Sequence, residues 1–360
     1  MGSTSLPTTM KALVTPSQGA PAEVRDNVSL PEPSPTQVLV RTLYAAINPV
    51  DVFTTQMGLL VESWPFVPGC EASGIVVKAG NEARNALGGY FKKGDIVAGC
   101  ARLGVEGHGT FAEYFLLDAE VALPKPDSLT AAQASTVAVG ALTAFLGVFG
   151  ELGISIEGLE EGKGEGEGKW VIVFGGAGAV GRYAVQTLKL AGYKVVASCS
   201  AGSVELLKSL GADATIDYKK SADDIVEEVK RITEEKVDLA FDAVSVNNDL
   251  VTKIFTAIPS SSGRRLYTTT NDWDPAPDAS LGFTTKPIEL GPLGRPSAAE
   301  LNSKLTSWIP VVYRLLESGK LKVGGYSVEG EGIDGIPKAW EAQKSGRLGS
   351  KKVIAKLADE

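Results

Sequence analysis

The stretch VIVFGGAGAVGRYAVQTLKLAG, residues 171–192, constrains the fold of this chain more than any other. An apolar run that reads as a buried strand passes into Gly176, Ala177, Gly178, Ala179, Val180 and Gly181, and a segment with helical apolar spacing follows at once. Glycines in a G-x-G-x-x-G turn between strand and helix serve a tight reversal, a backbone that a pyrophosphate can approach, and close packing of helix on strand. The helix start offers unpaired N–H groups and a partial positive charge to the phosphates. The alternation continues through KVVASCS, SVELLKSLG, ATIDY, ADDIVEEVKRITEE, VDLAFDAV and GRRLYTTT. Near-continuous apolar strands between amphipathic helices predict an α/β domain, a doubly wound parallel sheet covered on both faces.

The rest of the chain reads differently. Residues 10 to about 125 hold short alternating strands broken by Pro, Gly and Asp, among them MKALVTP, TQVLVRTLYAAI, GIVVKAG and FAEYFLL, which predicts a compact, mostly β domain. LTAAQASTVAVGALTAFLGVFGELG then turns to helical spacing. EGLEEGKGEGEGK, residues 157–169, has nothing to bury and reads as a solvated loop. A Pro/Gly-rich stretch without periodicity, 271–296, precedes one long helix in which Pro310 is expected to make a kink. The tail shows no further βαβ unit, ends on a strand, and is expected to return to the first domain. The expected division is therefore 1–140, 141–300 and a return segment 301–360.

Composition narrows the function classes. At 360 residues two domains are expected. A net charge of −8 argues against a broad nucleic-acid surface. No apolar run approaches the roughly 20 residues that span a bilayer, and the N-terminus lacks a signal-peptide layout, so a cytoplasmic protein without a membrane partner is expected. Three cysteines and one histidine give no CxxC pair, no disulfide framework and no two-histidine metal site. His108, between glycines, reads as a surface or loop residue.

The end of the second strand selects the dinucleotide. An Asp or Glu there, roughly 20 residues beyond the glycines, would bind the ribose 2′-OH of NAD. Here KVVASCS ends in Cys199 and Ser200, with no carboxylate to repel a 2′-phosphate, and NADPH is favoured. Ser200, Ser203 and Tyr218 offer hydroxyls to that phosphate.

The ordered signals AINPVD, PGCEASGIVVKAG, KKGDIVAG, GTFAEYFLL, ALTAFLGV, VFGGAGAVG and LGSKKVIAKL resemble those of the medium-chain dehydrogenase/reductase superfamily, from about Met10 to Leu357. The resemblance implies a Rossmann domain and a GroES-like domain. Within the superfamily the chain is similar to the zinc-independent branch. Asn48 and Cys70 stand where that superfamily's zinc enzymes place a Cys and a His ligand, and one thiol does not hold a catalytic zinc, so no metal is expected. Cys70 reads as a small buried packing residue. INPVD, a second strand ending Cys-Ser, and a DY after the next strand look like the fungal trans-acting enoyl reductases of the lovastatin type; quinone oxidoreductases share the first of these.

That resemblance implies NADPH-dependent reduction of an activated double bond, in an enoyl thioester or enone, free or carrier-bound, with a polyketide synthase as a possible partner. Quinone or general enone and carbonyl reduction is the alternative, and a non-catalytic NADPH-binding protein the minor one. It also implies that Asn48 and Asp51 lie near the nicotinamide, that Thr143 contacts the cofactor, that Thr268 and Thr269 follow the strand beneath the ring, and that Lys351 reaches back from the tail. No catalytic acid transfers: Phe53 stands where the lovastatin-type enzyme has Lys, and Leu59 and Leu60 where mitochondrial enoyl reductases have Tyr.

Overall fold

In the computed structural model residues 6–360 are described. The chain divides into two compact units, one running to Val139 and resuming over Gly291–Glu360, the other Gly140–Leu290.

The first unit opens with an antiparallel pair, β1 (Thr9–Val14) and β2 (Glu23–Ser29). Strand β3 (Gln37–Ala46) then runs into α1 (Pro49–Met57), which starts with Pro at its first position and Asp51 Oδ2 accepting the Asn48 N–H at 2.8 Å. It ends at Gly58 in the left-handed conformation, φ 71°, the usual glycine stop. Strand β4 (Glu71–Ala79) pairs antiparallel with β3 and with β5 (Ile96–Cys100); β6 (Tyr114–Asp118) pairs with the first half of β3, and β7 (Leu123–Pro124) with β5. Val38, Val40, Val76, Val97, Phe115 and Leu117 converge from these strands on one core. Burying side chains of this size stabilises by about 1.5–3 kcal/mol each. Helix α2 (Ala131–Ala134) follows, its N-cap Thr130 accepting from the Gln133 N–H at 3.2 Å.

The second unit continues α3 (Ala138–Phe145), within which the division falls, into a wider helical turn, Leu146–Glu151. Then strands and helices alternate: β8 (Trp170–Phe174), α4 (Gly181–Leu190), β9 (Lys194–Cys199), α5 (Val204–Ser209), β10 (Ala214–Asp217), α6 (Ala222–Thr233), β11 (Val237–Asp242), α7 (Asn248–Ala257), β12 (Leu266–Thr269) and β13 (Thr284–Pro287). All neighbours are parallel, in the order β10-β9-β8-β11-β12-β13. The doubly wound sheet expected from the sequence is present. Helix α6 shows how the sequence builds it: Ser221 Oγ accepts the Asp224 N–H at 3.1 Å, and Ile225, Val226 and Val229 turn to the core beside Ile172, Val196 and Ile254.

The return segment brings α8 (Ala299–Glu317), which runs continuously through Pro310, then β14 (Tyr326–Glu331), α9 (Ile336–Lys344) and β15 (Lys352–Lys356). Strand β15 pairs antiparallel with β3, Ile354 opposite Ala46, which joins the tail to the first unit's sheet.

Three local expectations need correction. The tail does contain a βαβ unit, because β14 and β15 are parallel and α9 connects them; the half-exposed, bulged β14 hides that pattern in the sequence. The 271–296 stretch is not wholly irregular, since β13 lies within it as the sheet's edge strand. The Gly/Glu segment 157–169 is anchored: the N–H groups of Gly166 and Gly168 donate to Ala191 and Gly192 carbonyls at 2.9 and 3.0 Å. A Cβ on Gly164 would meet Ala191 backbone at 2.3 Å, so the glycines face the α4–β9 turn while Glu165 and Glu167 face solvent.

Candidate active site

In the second unit the chain leaves β8 toward β9 on one side and, after β10, crosses to β11 on the other. The carboxyl ends of β8 and β11 therefore flank the topological switch point, where open α/β sheets bind ligands. The glycine turn occupies that place. Gly175 makes the reversal, with φ 69°, and its N–H is held by Ser198 Oγ at 2.9 Å. The G-x-G-x-x-G alignment missed this residue, although a second glycine directly after the strand was visible. Gly176 packs under β9 and α5, where a Cβ would stand 2.9 Å from Ala197 Cβ. Gly181 lets the helix approach the turn, since a Cβ there would lie 2.2 Å from Gly175 O. Gly178 differs: it is exposed, and its Cβ would meet only Gly175 O, at 3.3 Å.

Among the described residues the N–H groups of Ala179, Val180 and Gly181 have no acceptor, while the helix proper begins with Arg182 N–H donating to Gly178 O at 3.1 Å. Open space at Gly178 beside free amides at the start of α4 is the kind of arrangement in which helix starts bind phosphate groups. Arg182, buried, spends its guanidinium on the carbonyls of Gly178 and Ala177 at 3.1 and 3.2 Å, and so fixes the turn. Beyond β9 the chain turns at Ser200 and Ser203, both half-buried, and Tyr218 is exposed after β10. No carboxylate stands at the end of β9; Asp217, alongside on β10, is engaged by the Lys219 N–H at 2.9 Å.

At the ends of β11 and β12 a buried carboxylate orders the loop. Asp242 Oδ1 accepts from Val244 N–H and Asn247 Nδ2, both at 2.9 Å, and Oδ2 from the N–H groups of Val246 and Asn247 at 3.1 and 3.0 Å. The Tyr267 hydroxyl adds a contact to Oδ2 at 3.2 Å, and burial pushes that phenol well above its ordinary range. Ser245 Oγ lies 2.6 Å from Thr270 Oγ1. These residues escaped the sequence reading because their meeting depends on the register of two strands. Thr268 and Thr269 are buried, and their hydroxyls serve the sheet edge: Thr268 Oγ1 donates to Lys286 O at 2.9 Å and Thr269 Oγ1 accepts the Asn271 N–H at 3.0 Å. Thr143 is buried on α3.

The remaining expected positions lie in the first unit. Asn48 and Asp51 are 2% and 0% exposed and face inward. Asn48 Nδ2 donates to Glu71 Oε2 at 3.1 Å, its Oδ1 accepts from Lys352 Nζ, and Lys352 Nζ pairs with Glu71 Oε2 at 2.9 Å. Glu71 Oε1 takes the Val139 N–H at 2.8 Å. The lysine brought from the tail is thus Lys352, while Lys351 is exposed; Lys352 is the first residue of β15 and its side chain alternates inward. Burial pushes the Asp51 carboxyl up to about 7, against the opposing pull of the Asn48 N–H and the Lys352 ammonium. Cys70 is buried, and contact with the Cys100 thiol together with burial raises its thiol well above the ordinary range. Among the described residues no three His, Cys, Asp or Glu side chains gather as a metal site.

His108 is not a surface residue. It is 2% exposed, with Gln37 Nε2 3.3 Å from its Nε2, and the same Gln37 amide donates to Asp118 Oδ1 at 3.1 Å. Asp118 in turn holds Arg102 through paired bonds of 2.7 Å. Among the described residues no helix is long and apolar enough to cross a membrane.

Residues 34–127 match the alcohol dehydrogenase GroES-like domain and residues 179–259 the zinc-binding dehydrogenase domain. The trans-enoyl reductase TOXD of Cochliobolus carbonum is 34% identical over 67% of this chain and 77% of its own length. The trans-enoyl reductase pgmF of Aspergillus terreus is 30% identical over 97% of both chains. Among solved structures, an alcohol dehydrogenase superfamily protein from Novosphingobium aromaticivorans superimposes with a TM-score of 0.79 at 23% identity, over 97% of this chain and all of that one. With a glycine turn at the switch point of one unit, a GroES-like sheet in the other, and relatives at this identity of which one matches nearly the whole chain, the chain belongs to the medium-chain dehydrogenase/reductase superfamily of oxidoreductases.

Proposed function

We propose that this oxidoreductase uses NADPH to reduce a double bond activated by a neighbouring carbonyl, as in an enoyl thioester or enone. The observation that carries the reading is the β9 end: Ser200, Ser203 and the exposed Tyr218 stand there with no carboxylate on β9 itself to hold a ribose diol or repel a 2′-phosphate, and Asp217, opposite Cys199 on β10, is engaged by the Lys219 N–H. The bound nicotinamide would supply hydride to the β-carbon. The chain's part is binding and orientation. The amides of Ala179, Val180 and Gly181 receive the pyrophosphate, Arg182 keeps their turn rigid, and the Asp242-ordered loop fixes the edge against which the ring is positioned.

The first unit's chemistry agrees with an acceptor already activated. Beside Cys70 the chain places Asn48 and the Lys352 ammonium, whose charge opposes a dication, in place of a three-ligand donor set. The enoyl thioester reading, free or carrier-bound, draws on the likeness to TOXD and pgmF. A quinone is the second reading, favoured by the side chains at Phe53, Leu59 and Leu60: none can donate a proton to carbon, and a quinone accepts its protons on oxygen. NADPH absorbance followed with crotonyl thioester, with a 1,4-quinone and with neither separates them. Oxidation with the thioester supports the first reading, oxidation with the quinone alone the second, and oxidation with neither removes both.

A further inference from the structure

One carboxamide, that of Asn271, joins two loops at the carboxyl edge of β11 and β12. Its Nδ2 donates to Ser245 O at 3.0 Å and to Asp274 Oδ2 at 2.9 Å, while its Oδ1 accepts the N–H groups of Trp273 and Asp274 at 3.3 and 3.0 Å. The 243–247 loop and the 272–274 turn are therefore tied at one point. Ser245 sits at φ 64°, a conformation a non-glycine residue holds only when its surroundings impose it. The imposing groups are Asn271 on its carbonyl, Thr270 on its hydroxyl, and Asp242 on the amides either side.

What this clip presents is apolar and open. Val246 is 78% exposed, Trp273 56% and Val244 44%. Large apolar groups held on a rigid platform, rather than scattered on a mobile loop, mark a surface that something covers. Their place identifies the occupant. They border the carboxyl edge of β11 and β12 beside the switch point, where the dinucleotide of the reading above would lie, and a hydride acceptor must bring its reacting carbon to within roughly 3–3.5 Å of the nicotinamide. The part of that acceptor beyond the reacting bond then crosses these loops.

We propose that the Val246–Trp273 surface seats the apolar chain of the acceptor, so that Trp273 selects substrates that continue as an extended hydrocarbon beyond the reacting double bond. This rests on the reductase reading above and adds to it the size and polarity of the acceptor. Asn271 is a positioning residue that acts through Ser245 and Trp273.

The test compares binding of saturated decanoyl and butyryl thioesters of N-acetylcysteamine to the NADP-loaded protein by calorimetry, then turnover of the matching enoyl thioesters. Trp273→Ala should lower the preference for the ten-carbon ligand about tenfold, Trp273→Phe should keep most of it, and Val246→Ser should lower it several-fold. An unchanged ratio in Trp273→Ala overturns the proposal. So does a loss seen only with carrier-bound chains and not with the free thioesters, which would make the surface a protein-docking face. Should the wild-type protein bind decanoyl thioester in preference to butyryl yet reduce no enoyl thioester, the reductase reading falls while the binding ratio still decides this one.

Discussion

Lys352 Nζ lies 2.9 Å from Glu71 Oε2, with the two side chains 7% and 0% exposed. The pair joins the last strand of the chain to β4 through the interior of the first unit, and Asn48 bridges both members. Removing one partner of such a pair leaves a buried charge without compensation, which costs about 3–5 kcal/mol. Lys352→Met should therefore lower the urea midpoint strongly. Lys352→Met combined with Glu71→Gln should recover much of the loss: Gln keeps an oxygen for the Val139 N–H, and Asn48, freed from the ammonium, can turn its oxygen to the new amide. If the double variant is no more stable than the single one, the charge is not the cause.

His108 predicts an acid-sensitive stability. Burial lowers it from the ordinary imidazole range to about 4, with the Asp118 carboxylate pulling it up and Arg102 and Arg295 pushing it down. Gln37 Nε2 has only hydrogens to offer, so Nε2 of the ring accepts and the ring is neutral, with Nδ1 buried and unpartnered. The folded pKa is below the unfolded one of about 6.5, so the unfolded chain binds the extra proton between these values. This contribution to stability is complete above pH about 6.5 and is lost as pH falls toward 4, by up to ~3 kcal/mol. His108→Gln should flatten the denaturation free energy across that window relative to the wild type; parallel curves would refute the assignment.

Two glycines of the phosphate turn separate packing from binding. Gly181→Ala forces a Cβ to 2.2 Å from Gly175 O, an overpacking expected to cost about 1–3 kcal/mol and to damage the turn. Gly178→Ala meets that carbonyl at 3.3 Å and nothing nearer, so the melting temperature should shift little. Its methyl instead occupies the space into which the pyrophosphate must come, and NADPH affinity should fall at least about tenfold. Titration of NADPH fluorescence against both variants checks this. Full binding by Gly178→Ala would move the phosphates elsewhere.

The fate of the sequence expectations follows the range of the forces involved. The glycine turn and its helix were legible because strand, turn and helix are consecutive, and each glycine answers a local steric demand. Helix α6 was legible for the same reason, from its apolar spacing. Lys352 was not: in LGSKKVIAKL the resemblance put the inward reach at Lys351, and only partners 304 and 281 positions earlier, Asn48 and Glu71, single out its neighbour. His108, ringed by glycines, does lie in a loop, but its burial was not legible because Gln37 and Asp118, which bury it, are remote in sequence. Asn271 and Ser245 meet only through the parallel pairing of β11 with β12, which fixes the two loops side by side.

On the NADPH reading proposed above, a substitution at Ser200 should invert the dinucleotide preference. This residue follows β9 directly, half-buried, at the position where an acidic side chain would hold a ribose 2′-OH, and Asp217 stands opposite its neighbour Cys199 on β10. Ser200→Asp would place a negative charge beside a 2′-phosphate bound at this strand end. At an effective dielectric constant of about 20, two unit charges about 5 Å apart repel by roughly 3 kcal/mol, on the order of a hundredfold in affinity. The same carboxylate accepts hydrogen bonds from the 2′- and 3′-hydroxyls of NADH. The ratio of kcat/KM for NADPH to that for NADH should therefore fall by one to two orders of magnitude, through KM rather than kcat, because the hydride-transferring end of the cofactor lies remote from the ribose phosphate. A ratio that stays constant while both values drop would mean that Ser200 supports the turn alone, and that the 2′-phosphate is read by other groups.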